Sequence, residues 1–159
     1  MIRAILFDAG NTLIRMDYAA IAAEQVDLTG AASLTDGLAA LDAAHAALPA
    51  GAWLLGAGWD QRRWGRWPTA ADLDRAAPGR PAALWSFDHH AVWTSTAGLL
   101  IAGLDARSPE PDGGIIRRLD GGQPEGVLLE NACPLIAGLV PTPTAAELRR
   151  LLATMGERL

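Results

Sequence analysis

Apolar positions in this chain come in short runs broken by turn residues, and the runs alternate between two periods. Ile2, Ala4, Ile5, Leu6 and Phe7 make a run suited to a strand covered on both faces, with residues 8–13 as a tight loop after it. A second short strand is predicted to end at residues 27–29. Beyond it, Leu34, Leu38, Leu41 and Leu48 recur at helical spacing behind Ser33, an N-cap residue with Asp36 three positions on. Pro49 and Gly51 end that helix. Residues 53–56 read as a buried strand and 58–60 as the loop at its end. Residues 72–77 read as a helix capped from Thr69 and closed by Pro78 and Gly79. A strand of small and apolar residues leads to Asp88, a helix covers 97–102, and 109–114 is a turn-rich connector. A β-hairpin is predicted from 115–119 and 125–129 around Asp120, Gly121 and Gly122. The tail from Thr144, with Glu147 in the capping-box position, reads as an amphipathic helix. Strands alternating with helices across short loops are the signature of βα units and a parallel sheet.

Composition narrows this picture. At 159 residues the chain can bury a sizeable core as one domain. It is too short for a closed (β/α)8 barrel, which takes about 250 residues. A net charge of -5 argues against nucleic acid or an anionic membrane surface as partner. No apolar stretch approaches the roughly 20 residues that span a bilayer, so no membrane is expected. Cys133 is the single cysteine, so no internal disulfide forms; with no basic start or small-residue cleavage site at the N-terminus, a cytoplasmic protein is expected. All thirteen basic residues are arginine, in the manner of a GC-rich bacterial genome. Without lysine, the chain has no Schiff base, no phosphate-loop lysine and no carbamylated metal bridge.

The residues that carry chemistry stand at predicted strand ends. Asp8 follows the first strand, where open α/β folds place reacting groups; the plainer reading is a turn carboxylate satisfying backbone donors. Asp88, His89 and His90 follow another strand. Neighbouring strand side chains point to opposite faces, so a substrate-facing His90 with a packed or solvated His89 is expected over two ligands to one metal. The alternative is that both make only local hydrogen bonds. Glu130 ends the hairpin, either as a metal ligand or substrate contact or as a hydrogen-bonded acid at a strand end. His45 reads as a helix-surface residue. Arg62, Arg63, Trp64, Arg66 and Trp67 form a basic aromatic cluster, best explained by arginine packing on tryptophan.

Two resemblances give these residues a context. Gly56-Ala57-Gly58-Trp59-Asp60, then Arg80-Pro81 with Asp88-His89-His90 and Trp93, then Gly126 with Glu130-Asn131-Ala132, resemble in this order the motifs of amidohydrolase family 3, the YtcJ-like metal-dependent hydrolases. The resemblance covers residues 25–159. It implies an α/β fold made of incomplete parallel βα units of a TIM-barrel amidohydrolase with a β-hairpin, not a closed barrel. It implies metal-assisted hydrolysis of a carbon–nitrogen bond other than a peptide bond in a small amide-type molecule. Trp59, Asp60, Asp88 and His90 would stand on the substrate side, and Glu130 would be a metal ligand or substrate contact. His89 replaces the family's usual glycine, and Ser95 its usual asparagine.

The complete family holds a divalent metal, expected to be zinc, through a His-x-His pair and later histidines and an aspartate. This sequence has no His-x-His and no histidine after His90. The chain by itself is therefore expected to bind no metal and to be inactive. Residues 1–24 instead resemble the first strand and motif loop of the haloacid-dehalogenase-like (HAD-like) hydrolases, with Asp8 at the nucleophile position but Gly10 in place of the second aspartate. Two further readings stay open: an N-terminal piece of a HAD-like phosphatase or dehalogenase, and a non-catalytic interaction domain using the Trp–Arg cluster. The sequence assigns no oligomeric state.

Overall fold

Local capping chemistry sets the helices where the sequence places them. Ser33 and Asp36 form a reciprocal capping box at the start of α1 (Leu34–Ala47). Thr69 and Asp72 form another at the start of α3 (Ala70–Ala76), and Ser95 accepts from Gly98 N at the start of α4 (Thr96–Ile101). Each box satisfies backbone donors that the first helical turn leaves without partners. Two one-turn helices complete the set, α2 (Gln61–Trp64) and α5 (Pro134–Ala137). The computed structural model describes residues 25–141. The expected strand at 2–7, Asp8 and the expected helix from Thr144 lie outside the described residues.

The strands β1 (Val26–Asp27), β2 (Leu54–Trp59), β3 (Ala82–Ser86), β4 (Ala91–Trp93), β5 (Gly114–Arg118) and β6 (Pro124–Glu130) form one open sheet in the order β1-β2-β3-β4-β6-β5. β1, β2 and β3 run parallel, as βα units require. From β3 onward every pairing is antiparallel, and β5–β6 is the expected hairpin. The fold is thus α/β with an open sheet, not a closed barrel. β4 is an addition to the sequence reading. Its three residues follow β3 after one turn, so the chain folds straight back, Leu84 opposite Trp93.

Alternation along the strands makes two cores, one on each face of the sheet. Leu54, Trp59, Leu84, Trp93 and Val127 pack with Leu41 of α1 and Leu73 of α3. Ala83, Val92, Ile116 and Leu128 pack with Leu99 of α4 and Ile136 of α5. Burying a leucine of this kind is worth about 2 kcal/mol relative to exposure. With helices on both faces, the ends of β2, β3 and β6 are left to carry side chains into solvent.

Candidate functional site

The turn from β3 to β4 is built on one hydroxyl. Ser86 Oγ donates to Asp88 Oδ1 at 2.6 Å and accepts from Ala91 N at 3.0 Å, and His90 N approaches the same Asp88 oxygen at 3.3 Å. The Ser86 hydrogen bond outweighs partial desolvation and holds the Asp88 carboxyl below its usual range. Closing so short a turn puts His89 at φ 59, in the left-handed region that favours glycine. A glycine, the residue the resemblance implies at this position, would take that φ without strain; this chain meets the turn with a histidine.

Glu130 arrives from the far end of β6, also with a positive φ of 51. Its N–H donates to His90 O at 2.9 Å, and its carboxylate Oε2 lies 3.0 Å from His90 Nδ1. The hydrogen bond and negative charge of Glu130 raise the pKa of His90 above the ordinary histidine value. Asp88, His90 and Glu130 therefore meet, as the sequence reading groups them. They line an open pocket of about 260 Å³ with Gln61, Trp67, Ser86, Ala91, Ile115 and Leu129.

Trp59 and Asp60 do not line this pocket. The sequence reading ends β2 before Gly58, whereas the strand runs through Trp59 with a register shift between Ala57 and Trp59. That shift carries Trp59 into the core, 0% exposed, with Nε1 donating to Leu84 O at 2.8 Å. Asp60 is the N-cap of α2, accepting from Arg62 N at 2.9 Å. The residues that reach the pocket from this region are Gln61 and Trp67. Nothing in the sequence singles out Gln61, and Trp67 stands there only as part of the basic aromatic cluster.

That cluster is split: its two tryptophans are half-buried against the core and its three arginines are exposed. Trp59 and Trp64 stack at 6.3 Å between centroids, and Trp93 meets both edge-on. Trp67 meets Trp59 edge-on at 6.1 Å and carries Arg117 over its ring at 4.6 Å. Arg66 is held by both carboxylate oxygens of the buried Asp72 at 2.7 and 2.8 Å. Of the cluster's own arginines, Arg62 lies over the Phe87 ring at 4.8 Å, Arg63 donates to Thr29 O and Arg66 is tied to Asp72; the arginine over a tryptophan, Arg117 on Trp67, comes from outside the cluster.

Other motif residues also turn out to hold the fold. A Cβ on Gly56 would stand 2.8 Å from Val26 O, and one on Gly58, whose φ is +98, would stand 2.5 Å from Thr29 Cγ2. Arg80 is 9% exposed and donates to Pro49 O, Ala52 O and His45 Nδ1 at 2.6–2.9 Å, closing the C-terminal end of α1. A cation is favourable at that end of a helix. His45 is thereby a part-buried acceptor for Arg80, not a free surface group. Ser95 ties α4 to the strand side, donating to Arg80 O at 2.7 Å.

A hydrolytic metal takes about three protein ligands and keeps a position open. Among the described residues, no group of three or more His, Cys, Asp or Glu is arranged to hold a metal ion. Glu130 and His90 contact each other, and Asp88 is engaged by Ser86. This donor set does not fit a catalytic metal. Nor is any helix among the described residues long and apolar enough to cross a membrane.

Comparison with known proteins agrees with the motifs. An amidohydrolase family profile matches residues 16–158. A Bacillus subtilis protein bearing the amidohydrolase name YtcJ is 36% identical over 119 residues, which is 74% of this chain and 22% of that protein. The N-substituted formamide deformylase of Arthrobacter pascens is 35% identical over 133 residues, covering 81% of this chain and 24% of its own length. The chain thus spans about a fifth to a quarter of these relatives. In fold it is similar to an uncharacterized metal-dependent hydrolase from Pyrococcus furiosus, with a TM-score of 0.64 at 23% identity over 90% of this chain and 27% of that one. The motifs and the profile match support one assignment: this chain belongs to the amidohydrolase family.

Proposed function

We propose that residues 25–159 form a substrate-side segment of a cytoplasmic, metal-dependent amidohydrolase that cleaves carbon–nitrogen bonds other than peptide bonds in small amide-type molecules. In this reading the segment alone does not catalyse. The metal, zinc, is held in the complete enzyme by residues outside the described set. The observation that carries the reading is the convergence of Asp88, His90 and Glu130 on one pocket at the strand ends. Carboxylates and an imidazole there accept hydrogen bonds from an amide N–H, while Trp67, Ile115 and Leu129 offer apolar wall to its substituent.

The test uses the full 159-residue chain, dialysed against zinc and assayed for release of amine from an N-substituted formamide. Bound zinc well below one per chain and no turnover above buffer are expected. Stoichiometric zinc with turnover that is lost on His90→Gln would refute the claim that the segment is inactive alone.

A further inference from the structure

We infer that Glu130 is a positioning residue for His90 and not a metal ligand: it fixes the imidazole proton on Nδ1 and leaves Nε2 to accept an N–H or O–H from the ligand. The argument is one of donor and acceptor capacity. An ionised carboxylate only accepts, so the proton in the 3.0 Å contact between Glu130 Oε2 and His90 Nδ1 belongs to the imidazole. A neutral imidazole has one N–H and one lone pair, so the lone pair is then on Nε2. The backbone is bent to the same end. Among the described residues, the non-glycine positions with positive φ are Glu130 and His89, the residue before His90. Such conformations persist where surrounding structure over-determines them. Here the Glu130 N–H to His90 O bond carries the β4–β6 ladder one step past its last strand pair, Ala91 with Leu129.

This makes the pocket rich in acceptors: His90 Nε2 and the Asp88 and Glu130 carboxylates, beside the apolar side chains of Trp67, Ile115 and Leu129. It fits an N–H donor carrying an apolar substituent, a secondary amide or its amine. The ligand class rests on the substrate-side reading of the pocket; the tautomer does not.

The full chain has three histidines, so 15N-histidine labelling gives a small spectrum that His90→Gln assigns. At a pH where the imidazole is neutral, His90 is expected to carry its proton on Nδ1, the reverse of an unconstrained histidine. In Glu130→Gln the tautomer ratio should move back toward Nε2–H, with circular dichroism unchanged. A wild-type His90 protonated mainly on Nε2 overturns the inference, whether or not the variant folds, and so does a ratio unmoved in a folded variant. One equivalent of zinc should leave the His90 resonances in place; a shift that disappears in Glu130→Gln would make the pair a metal site and overturn the positioning role. Titration with N-benzylformamide should move Nε2 more than Nδ1. No movement of Nε2 would overturn the ligand class and the substrate-side reading while the tautomer assignment stands.

Discussion

Replacing Gly126 by alanine makes two separate demands on β6. Its φ is +108, where an L side chain is strained by about 1–3 kcal/mol. A Cβ there would also stand 2.4 Å from Ala70 N and 2.8 Å from Ala70 Cα, backbone atoms at the start of α3 that have little room to yield. Ordinary carbon contacts sit near 3.5–4.0 Å, and overpacking of this kind costs about 1–3 kcal/mol. The sum is about 4 kcal/mol, a large share of the roughly 5–15 kcal/mol typical of a whole domain. Two further glycines separate the contributions. Gly65 has φ +73 but open space, so Gly65→Ala should cost only the conformational part, about 1 kcal/mol. Gly121 has neither feature, and Gly121→Ala should change stability by no more than about 0.5 kcal/mol. Urea unfolding followed by fluorescence of the Trp59, Trp64, Trp67 and Trp93 cluster gives the midpoints. If Gly126→Ala falls within about 1 kcal/mol of Gly65→Ala, the close seat of α3 on β6 is wrong.

Three other expectations follow from the same geometry. Asp72→Ala should cost about 2–3 kcal/mol in urea, from a lost capping box and the bidentate bond to Arg66. Burial would lift that carboxyl, but the hydrogen bonds from Arg66 and Thr69 prevail and lower it, so its contribution is full above the ordinary value of 3.8 and lost as pH falls through the depressed one. A wild-type-minus-variant difference that grows on acidification contradicts this. His89→Gly should stabilise the chain by about 1 kcal/mol, read as a higher Tm, by releasing a left-handed histidine; a lower Tm would mean that the contact with the Trp85 ring matters more. Burial pushes the Cys133 thiol up to about 11. Ellman's reagent at pH 8 should therefore modify it on the order of a hundredfold more slowly in the native chain than in urea, and equal rates would refute its burial.

Much of the fold was legible because it rests on neighbours in sequence. Ser33 with Asp36, Thr69 with Asp72, and the hairpin turn at Gly121 and Gly122 each declare a boundary within four residues. β4 was not legible, since Ala91, Val92 and Trp93 are too few to show a period and their pairing with β6 lies more than thirty positions away. The site divides along the same line. Asp88 and His90 stand where a strand end was expected, and Glu130 at the end of the hairpin, but nothing local says that they meet. Motif membership alone does not separate a residue that binds from one that holds: Trp59, with Gly56, Gly58, Arg80 and Gly126, is part of the packing.

The union of His90 with Glu130 also has a consequence for how this region can vary. Forty positions separate the two residues, yet the β4–β6 ladder alone brings them together. Everything between the ladder strands, from α4 through the connector at 109–113 to β5, is a closed excursion whose length the ladder does not register. Doubling such an excursion adds only about 0.6 kcal/mol of closure entropy. Insertions there can reshape what stands around the pocket mouth while the imidazole and carboxylate keep their spacing, whereas a single-residue insertion inside β4 or β6 turns one of the pair to the opposite face.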